Sequence, residues 1–141
     1  MVQPCRQAHH TGTGAVGRRE GRRLTEEAHR QGLRVWVHGM VFPTPPAQVL
    51  APGPDVVSHT CYLAYQAMER RPPTYRQRSP VDPALFAGRD NPVMAALFRT
   101  MRERGILLDP TLHVYDVVER LGRPFYCSLD LSARLTAQAH R

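Results

Sequence analysis

Lysine is missing from the 141 residues of this chain, whose 19 basic side chains are all arginine. No Schiff base, phosphate-loop lysine or bridging carbamate can therefore come from it. Apolar runs are short, and none approaches the ~20 residues of a membrane span. No membrane partner is expected. The opening segment Met1-Val2-Gln3-Pro4-Cys5-Arg6-Gln7-Ala8-His9-His10 has no apolar stretch of the kind found in secretory leaders. Cysteine is scarce too. Cys5, Cys61 and Cys127 stand far apart without a C-x-x-C pair, which indicates neither a zinc ribbon nor a disulfide framework and points to a reducing, cytoplasmic compartment.

What is present suits one globular unit, with 42% hydrophobic and 22% charged residues, too apolar for a wholly disordered chain. The net charge of +7 raises the question of nucleic acid. The arginines, however, crowd into residues 6–34 and 70–78. The first cluster has no interleaved aromatics and no nucleic-acid module is recognisable, so a solvated tail and loop are expected, without a nucleic-acid partner.

Along the chain, residues 1–17 carry neither helical nor strand period and read as a poorly ordered tail. Residues 18–30 are rich in helix formers, with Leu24 and Ala28 on one face, and Gln31-Gly32 supplies a stop. Leu33-Arg34-Val35-Trp36-Val37-His38 reads as a strand ending on a histidine. After a proline-punctuated stretch with one helical turn at 47–50, Asp55-Val56-Val57-Ser58-His59 reads as a second strand, also ending on a histidine. Residues 60–89 form a long Pro- and Arg-rich loop with a helical turn at 62–69. Asn91 and Pro92 open a helix striped by Val93, Leu97 and Met101, with Met94 and Phe98 beside them, and Gly105 ends it. Residues 106–112 are the third strand and 115–121 a short helix. Ser128 then caps a last helix striped by Leu131, Leu135 and Ala139. This alternation argues for right-handed βαβ units on a parallel sheet. The expected fold over 18–141 is α/β, a partial (β/α) TIM-type barrel of about three parallel strands with flanking helices.

Gly12-Thr13-Gly14-Ala15-Val16-Gly17 matches a dinucleotide fingerprint, but that chemistry needs a strand before the turn and an acid closing the next strand. The first ten residues read as polar and strandless, and the next strand ends in His38. A flexible glycine-rich tail is the favoured reading. His38 and His59 carry the stronger signal, because residues at the C-terminal ends of parallel strands face the crevice where α/β proteins place their chemistry. Strands ~4.8 Å apart would let two such imidazoles share one metal ion. The bland alternative is a pair of hydrogen-bonded structural histidines.

Three segments in order resemble the later half of metal-dependent amidohydrolases of the imidazolonepropionase-like type. They are Glu27-Ala28-His29-Arg30-Gln31-Gly32-Leu33 running on to His38, Gly53-Pro54-Asp55-Val56-Val57-Ser58-His59, and Met101-Arg102-Glu103-Arg104-Gly105-Ile106-Leu107-Leu108-Asp109-Pro110-Thr111-Leu112. The resemblance spans roughly residues 20–140. It implies that His38 and His59 match the metal ligands of the fifth and sixth barrel strands, and that Thr111 has a structural place. The family's H-x-H pair, its bridging Lys or Glu and its eighth-strand Asp have no match, so the resemblance implies a fragment, inactive in isolation. It further implies a hydrolase of non-peptide C–N bonds, amide or cyclic amide, with a divalent ion, zinc, as cofactor and a small-molecule substrate.

No catalytic residue is assignable. His113, just past the third strand, is a candidate substrate contact; His29 reads as a helix-dipole partner. Ser58 makes no catalytic pair with His59, since neighbouring strand residues face opposite ways. Cys61 lacks an activating partner, and Asp109 sits mid-strand without a role. Bare sheet edges lead to an expectation of self-association. The alternative function is a non-catalytic basic α/β binding or structural fragment.

Overall fold

The computed structural model describes residues 7–10, 18–86, 91–122 and 127–141. Four strands, β1 (Gln7–His10), β2 (Arg34–His38), β3 (Val56–Ser58) and β4 (Leu107–Asp109), form one sheet in the order β1-β2-β3-β4. Every neighbouring pair is parallel. Among the described residues six α-helices accompany it: α1 (Arg18–Arg30), α2 (Pro46–Leu50), α3 (Thr60–Leu63), α4 (Pro92–Glu103), α5 (Leu112–Arg120) and α6 (Leu129–Ala139). The α/β class and the parallel sheet are as expected. The strand count is one higher, because residues 7–10, expected to belong to a poorly ordered tail, pair in register with residues 34–37 of β2. Backbone pairing decides here what an apolar pattern could not announce.

The turn from helix to strand is built the same way twice. Gly32 and Gly105 adopt φ of +69° and +66°, values that favour glycine. Around each, the helix C-terminus closes with paired reverse hydrogen bonds: Gly32 N–H to His29 O and Leu33 N–H to Ala28 O, then Gly105 N–H to Arg102 O and Ile106 N–H to Met101 O. At the other end of α4, Asn91 Oδ1 accepts from the N–H groups of Val93 and Met94 and Pro92 occupies the first helical position.

The core lies against one face of the sheet. Val35 and Val57 are buried, and Val37 and Leu108 pack against Leu50, Leu63, Met94, Leu97, Phe98, Met101, Tyr115, Leu131 and Leu135. Two helix faces differ from expectation. Val93 is exposed while Met94 faces the core, and on α1 Thr25 and Ala28 are buried while Leu24 is exposed. The connection at 60–89 is more ordered than a loop. It contains α3 and 3₁₀ turns at Ala64–Ala67, Tyr75–Gln77 and Pro83–Phe86, and anchors Leu63, Tyr65, Val81 and Phe86 in the core. Tyr65 donates its hydroxyl to Ser79 O at 2.6 Å, and burial pushes its pKa up to about 12. Residues 87–89 of that connection lie outside the described residues.

Cys61 and Cys127 are joined by a disulfide with Cα atoms 6.0 Å apart. This corrects the expectation of unpaired thiols: 66 residues of sequence separate the two, and only the packing of α3 beside the start of α6 brings them together. No helix among the described residues is long and apolar enough to cross a membrane.

Candidate functional site

The sheet face opposite the core carries, level by level, Trp36, Val56 and Leu107, then His38, Ser58 and Asp109, which are register partners across β2, β3 and β4. The last three close their strands at one end. Trp36 Nε1 donates to Ser58 Oγ, and Ser58 Oγ donates to Asp109 Oδ2 at 2.9 Å. One polar chain thus crosses three strands. Asp109 ends β4 rather than lying mid-strand: Pro110 has no N–H for the ladder, and Asp109 Oδ1 accepts instead from Thr111 N–H at 3.3 Å. Both carboxylate oxygens are engaged.

His38 and His59 meet at this end with ring centroids 4.9 Å apart and planes within 16° of parallel. Alternation along the strands does not bring this about. Val57, two residues before His59, is buried in the core, on the face opposite Trp36 and His38. The chain instead turns left-handed at His59, with φ of +69°, a conformation uncommon outside glycine. That turn carries the imidazole across to His38. Thr111 makes a second such turn, with φ of +52°, after β4. The two residues immediately precede α3 and α5 and meet through His59 Nδ1 and Thr111 Oγ1 at 3.0 Å.

The Thr111 hydroxyl donates its single proton to Pro110 O at 2.8 Å. Its oxygen therefore accepts from His59, which fixes the proton on Nδ1 and leaves the lone pair on Nε2. Burial, joined by the neighbouring His38, holds the His59 imidazole below its ordinary pKa of 6.5, against the opposing pull of Asp109. Tyr62 closes the pair from the side, its ring edge-on to both histidines at 6.4 and 5.3 Å. Gly39 completes the support. It donates to Ser58 O at 2.9 Å, and a Cβ there would stand 3.0–3.2 Å from Leu63 Cδ2, Ser58 O and His59 O, so a side chain at 39 would push the two strand ends apart.

A tetrahedral ion with Zn–N bonds of about 2.1 Å holds its nitrogens ~3.4 Å apart. The rings, 4.9 Å apart and within 16° of parallel, must rotate for their in-plane lone pairs to converge on one ion, and the neutral, Nδ1-anchored His59 is the protonation state a metal requires. The residues fit half a tetrahedral shell. Among the described residues no group of three or more His, Cys, Asp or Glu is placed to hold an ion.

The other candidates fall elsewhere. His113 is exposed in the first turn of α5. His29 is at the end of α1 as read, but its Nε2 lies 2.9 Å from Asp55 Oδ2, which also accepts from Val35 N–H at 2.7 Å. The helix-end and turn segments of the resemblance are thereby tied to each other. The Gly12–Gly17 fingerprint lies outside the described residues. One objection to it falls, since β1 precedes it and α1 follows, while the other stands: β2 closes on His38, not on an acid. Sequence reasoning missed Trp36, Ser58 and Asp109 as a network, although each is on the parity of the strand end. Neither a protein-family model, a curated protein nor a solved structure matches the chain.

Proposed function

We infer that the chain carries half of a divalent-metal centre of the amidohydrolase type, zinc being the ion its donors suit, on a sheet that is part of a (β/α) barrel. The observation that carries this reading is the His38–His59 pair, stacked at 4.9 Å at the C-terminal ends of successive parallel strands, where α/β barrels keep their chemistry. The consecutive strand order β1-β2-β3-β4 is what a barrel segment has. The reaction is hydrolysis of an amide or cyclic amide C–N bond in a small molecule. When bound, the ion supplies Lewis-acid polarisation of a carbonyl and a lowered pKa for water. The chain's own residues then do the rest. Thr111 orients His59, Gly39 and Tyr62 keep His38 against it, and His113, two residues past Thr111, is the substrate contact.

Two imidazoles leave half the shell unfilled, and Asp109 already accepts from Ser58 and Thr111. The isolated chain is therefore expected to bind zinc without turning over cyclic amides. Calorimetric titration with zinc at pH 7 tests the reading: binding that is abolished in both His38→Ala and His59→Ala supports it. No binding by the folded wild-type chain refutes it in favour of a non-catalytic basic α/β unit, as does binding indifferent to both substitutions. Residence in the cytoplasm belongs to the same proposal and requires the fold to tolerate reduction of the Cys61–Cys127 bond.

A further inference from the structure

We propose that the groove between α2 and α4 binds a medium-chain aliphatic carboxylate, with the acyl tail lying along the slot and the head group on Arg104.

The groove is made of short side chains over a closed floor. Leu50 and Leu97 are buried at its base, while Ala47 and Ala51 line it from α2 and Ala96 lines it from α4. Alanine at these places leaves open what a longer side chain would fill. The space amounts to about 510 Å³, within the range of small-molecule sites. It also gives a place to Val93, which the helical period groups with the core but which is 45% exposed. With Ala96, Leu97 and Thr100, Val93 forms a second stripe on α4, beside the one that carries Met94, Phe98 and Met101 into the core.

The two ends of the groove differ chemically. Gln66, on the 3₁₀ turn after α3, accepts from Ala47 N–H at 3.0 Å and marks the end nearest the start of α2. Arg104, just past α4, reaches Leu50 O and Ala51 O through Nη1 at 3.5 and 3.3 Å, which sets it at the other end. Nε and Nη2 have no partner among the described residues, and that edge of a guanidinium is a fork that a carboxylate matches with two bonds. Among the described residues no Asp or Glu lines the groove. Arg104 is therefore the one charge in its lining, and it selects an anion.

Length and volume set the rest of the ligand. Val93 and Arg104 are separated by about 16 Å along the helix axis, the reach of a medium-chain acyl tail. A single guanidinium balances a monoanion. A partner helix of that length, about 10–12 Å across, would take up more than twice the volume of the groove, so a docking protein segment does not fit. Nor is the groove where the sheet would continue. α2 follows β2 and α4 follows β3, the two inner strands, whereas further strands join only beside β1 or β4. The groove belongs to the helix layer and His38 to the opposite face of the sheet, so the proposal stands or falls apart from the metal reading.

Amide NMR of the full chain titrated with decanoate, below its micelle threshold, tests this. The expected result is saturable shifts at Ala47, Ala51, Ala96 and Thr100. Arg104→Gln, and separately decanol in place of decanoate, should each weaken binding by about tenfold or more, the loss of a charge-assisted bond. Ala96→Leu fills the groove and should abolish binding. Should that variant not fold, Val93→Glu, at an exposed position, is expected to weaken binding by a similar factor with unchanged circular dichroism. No binding by the folded chain overturns the proposal, as do shifts confined to other surfaces or binding indifferent to the groove substitutions. Decanol bound as tightly as decanoate overturns the assignment of a carboxylate to Arg104.

Discussion

Asp55 does more for this fold than its place in a turn suggests. Its Oδ2 gathers the end of α1 through His29 and the start of β2 through Val35 N–H. Partial burial works to raise the Asp55 pKa, but the bonds from Val35 and His29, with the charges of His29 and Arg34, outweigh it and hold the carboxyl below its ordinary value. A folded pKa below the unfolded one means that the contribution is complete above about pH 4 and is lost as pH falls through the folded value. Asp55→Asn is expected to cost about 1–2 kcal/mol at pH 7, the low end of that range being favoured by the solvent exposure of the His29 contact. Urea midpoints at pH 7 and pH 3 check this: the gap between wild type and variant should narrow at pH 3, and an unchanged gap would show that the carboxylate charge contributes nothing.

At the scale of elements, the helices were legible where their ends carry specific chemistry. Asn91 and Ser128 stand at cap positions in the sequence, and their side chains accept the bonds that capping requires. Asn91 does a second job, donating Nδ2 to Leu85 O at 2.8 Å and so tying the 60–89 connection to α4. Asn91→Ala is therefore expected to cost about 2 kcal/mol, the upper end of the capping range. Ser128→Ala, whose side chain takes one bond from Leu131 N–H, should cost about 1 kcal/mol. Thermal unfolding of both variants measures the difference, and equal losses would show that the Leu85 contact is idle. Strand ends were less legible. The third strand was expected to run through residue 112, but β4 stops at Asp109, because Pro110 and the left-handed Thr111 divert the chain into α5.

For the whole molecule, the disulfide is a long-range covalent tie. It closes a loop of 66 residues between α3 and the start of α6, and the chain-entropy estimate for a loop of that size is about 4 kcal/mol. Reduction with a dithiol, or the Cys61→Ala/Cys127→Ala double variant, should lower the unfolding midpoint accordingly. Unchanged stability on verified reduction would show that the packing of α3 on α6 needs no covalent help. Because Cys61 immediately follows His59-Thr60, loosening this tie should also weaken zinc binding at the histidine pair.

The sequence by itself determined the alternation of helix and strand, the glycine stops at Gly32 and Gly105, the caps at Asn91 and Ser128, and a histidine at or one residue past the end of each of two consecutive strands. Each of these follows from local chemistry: propensity, a side chain within reach of its own backbone, or a glycine able to turn left-handed. Tertiary structure decided the rest. The pairing of β1 with β2, the meeting of Cys61 with Cys127, and the bond between His29 and Asp55 all join positions distant in sequence, with no local pattern to mark them. The His38–His59 contact lies between the two cases. Its residues were legible as strand ends, but parity alone would have sent His59 to the core side with Val57. A left-handed turn at His59, braced by Thr111 from another strand, set the ring beside His38. A strained backbone turn persists only when its surroundings over-determine it, and those surroundings exist only in the folded chain.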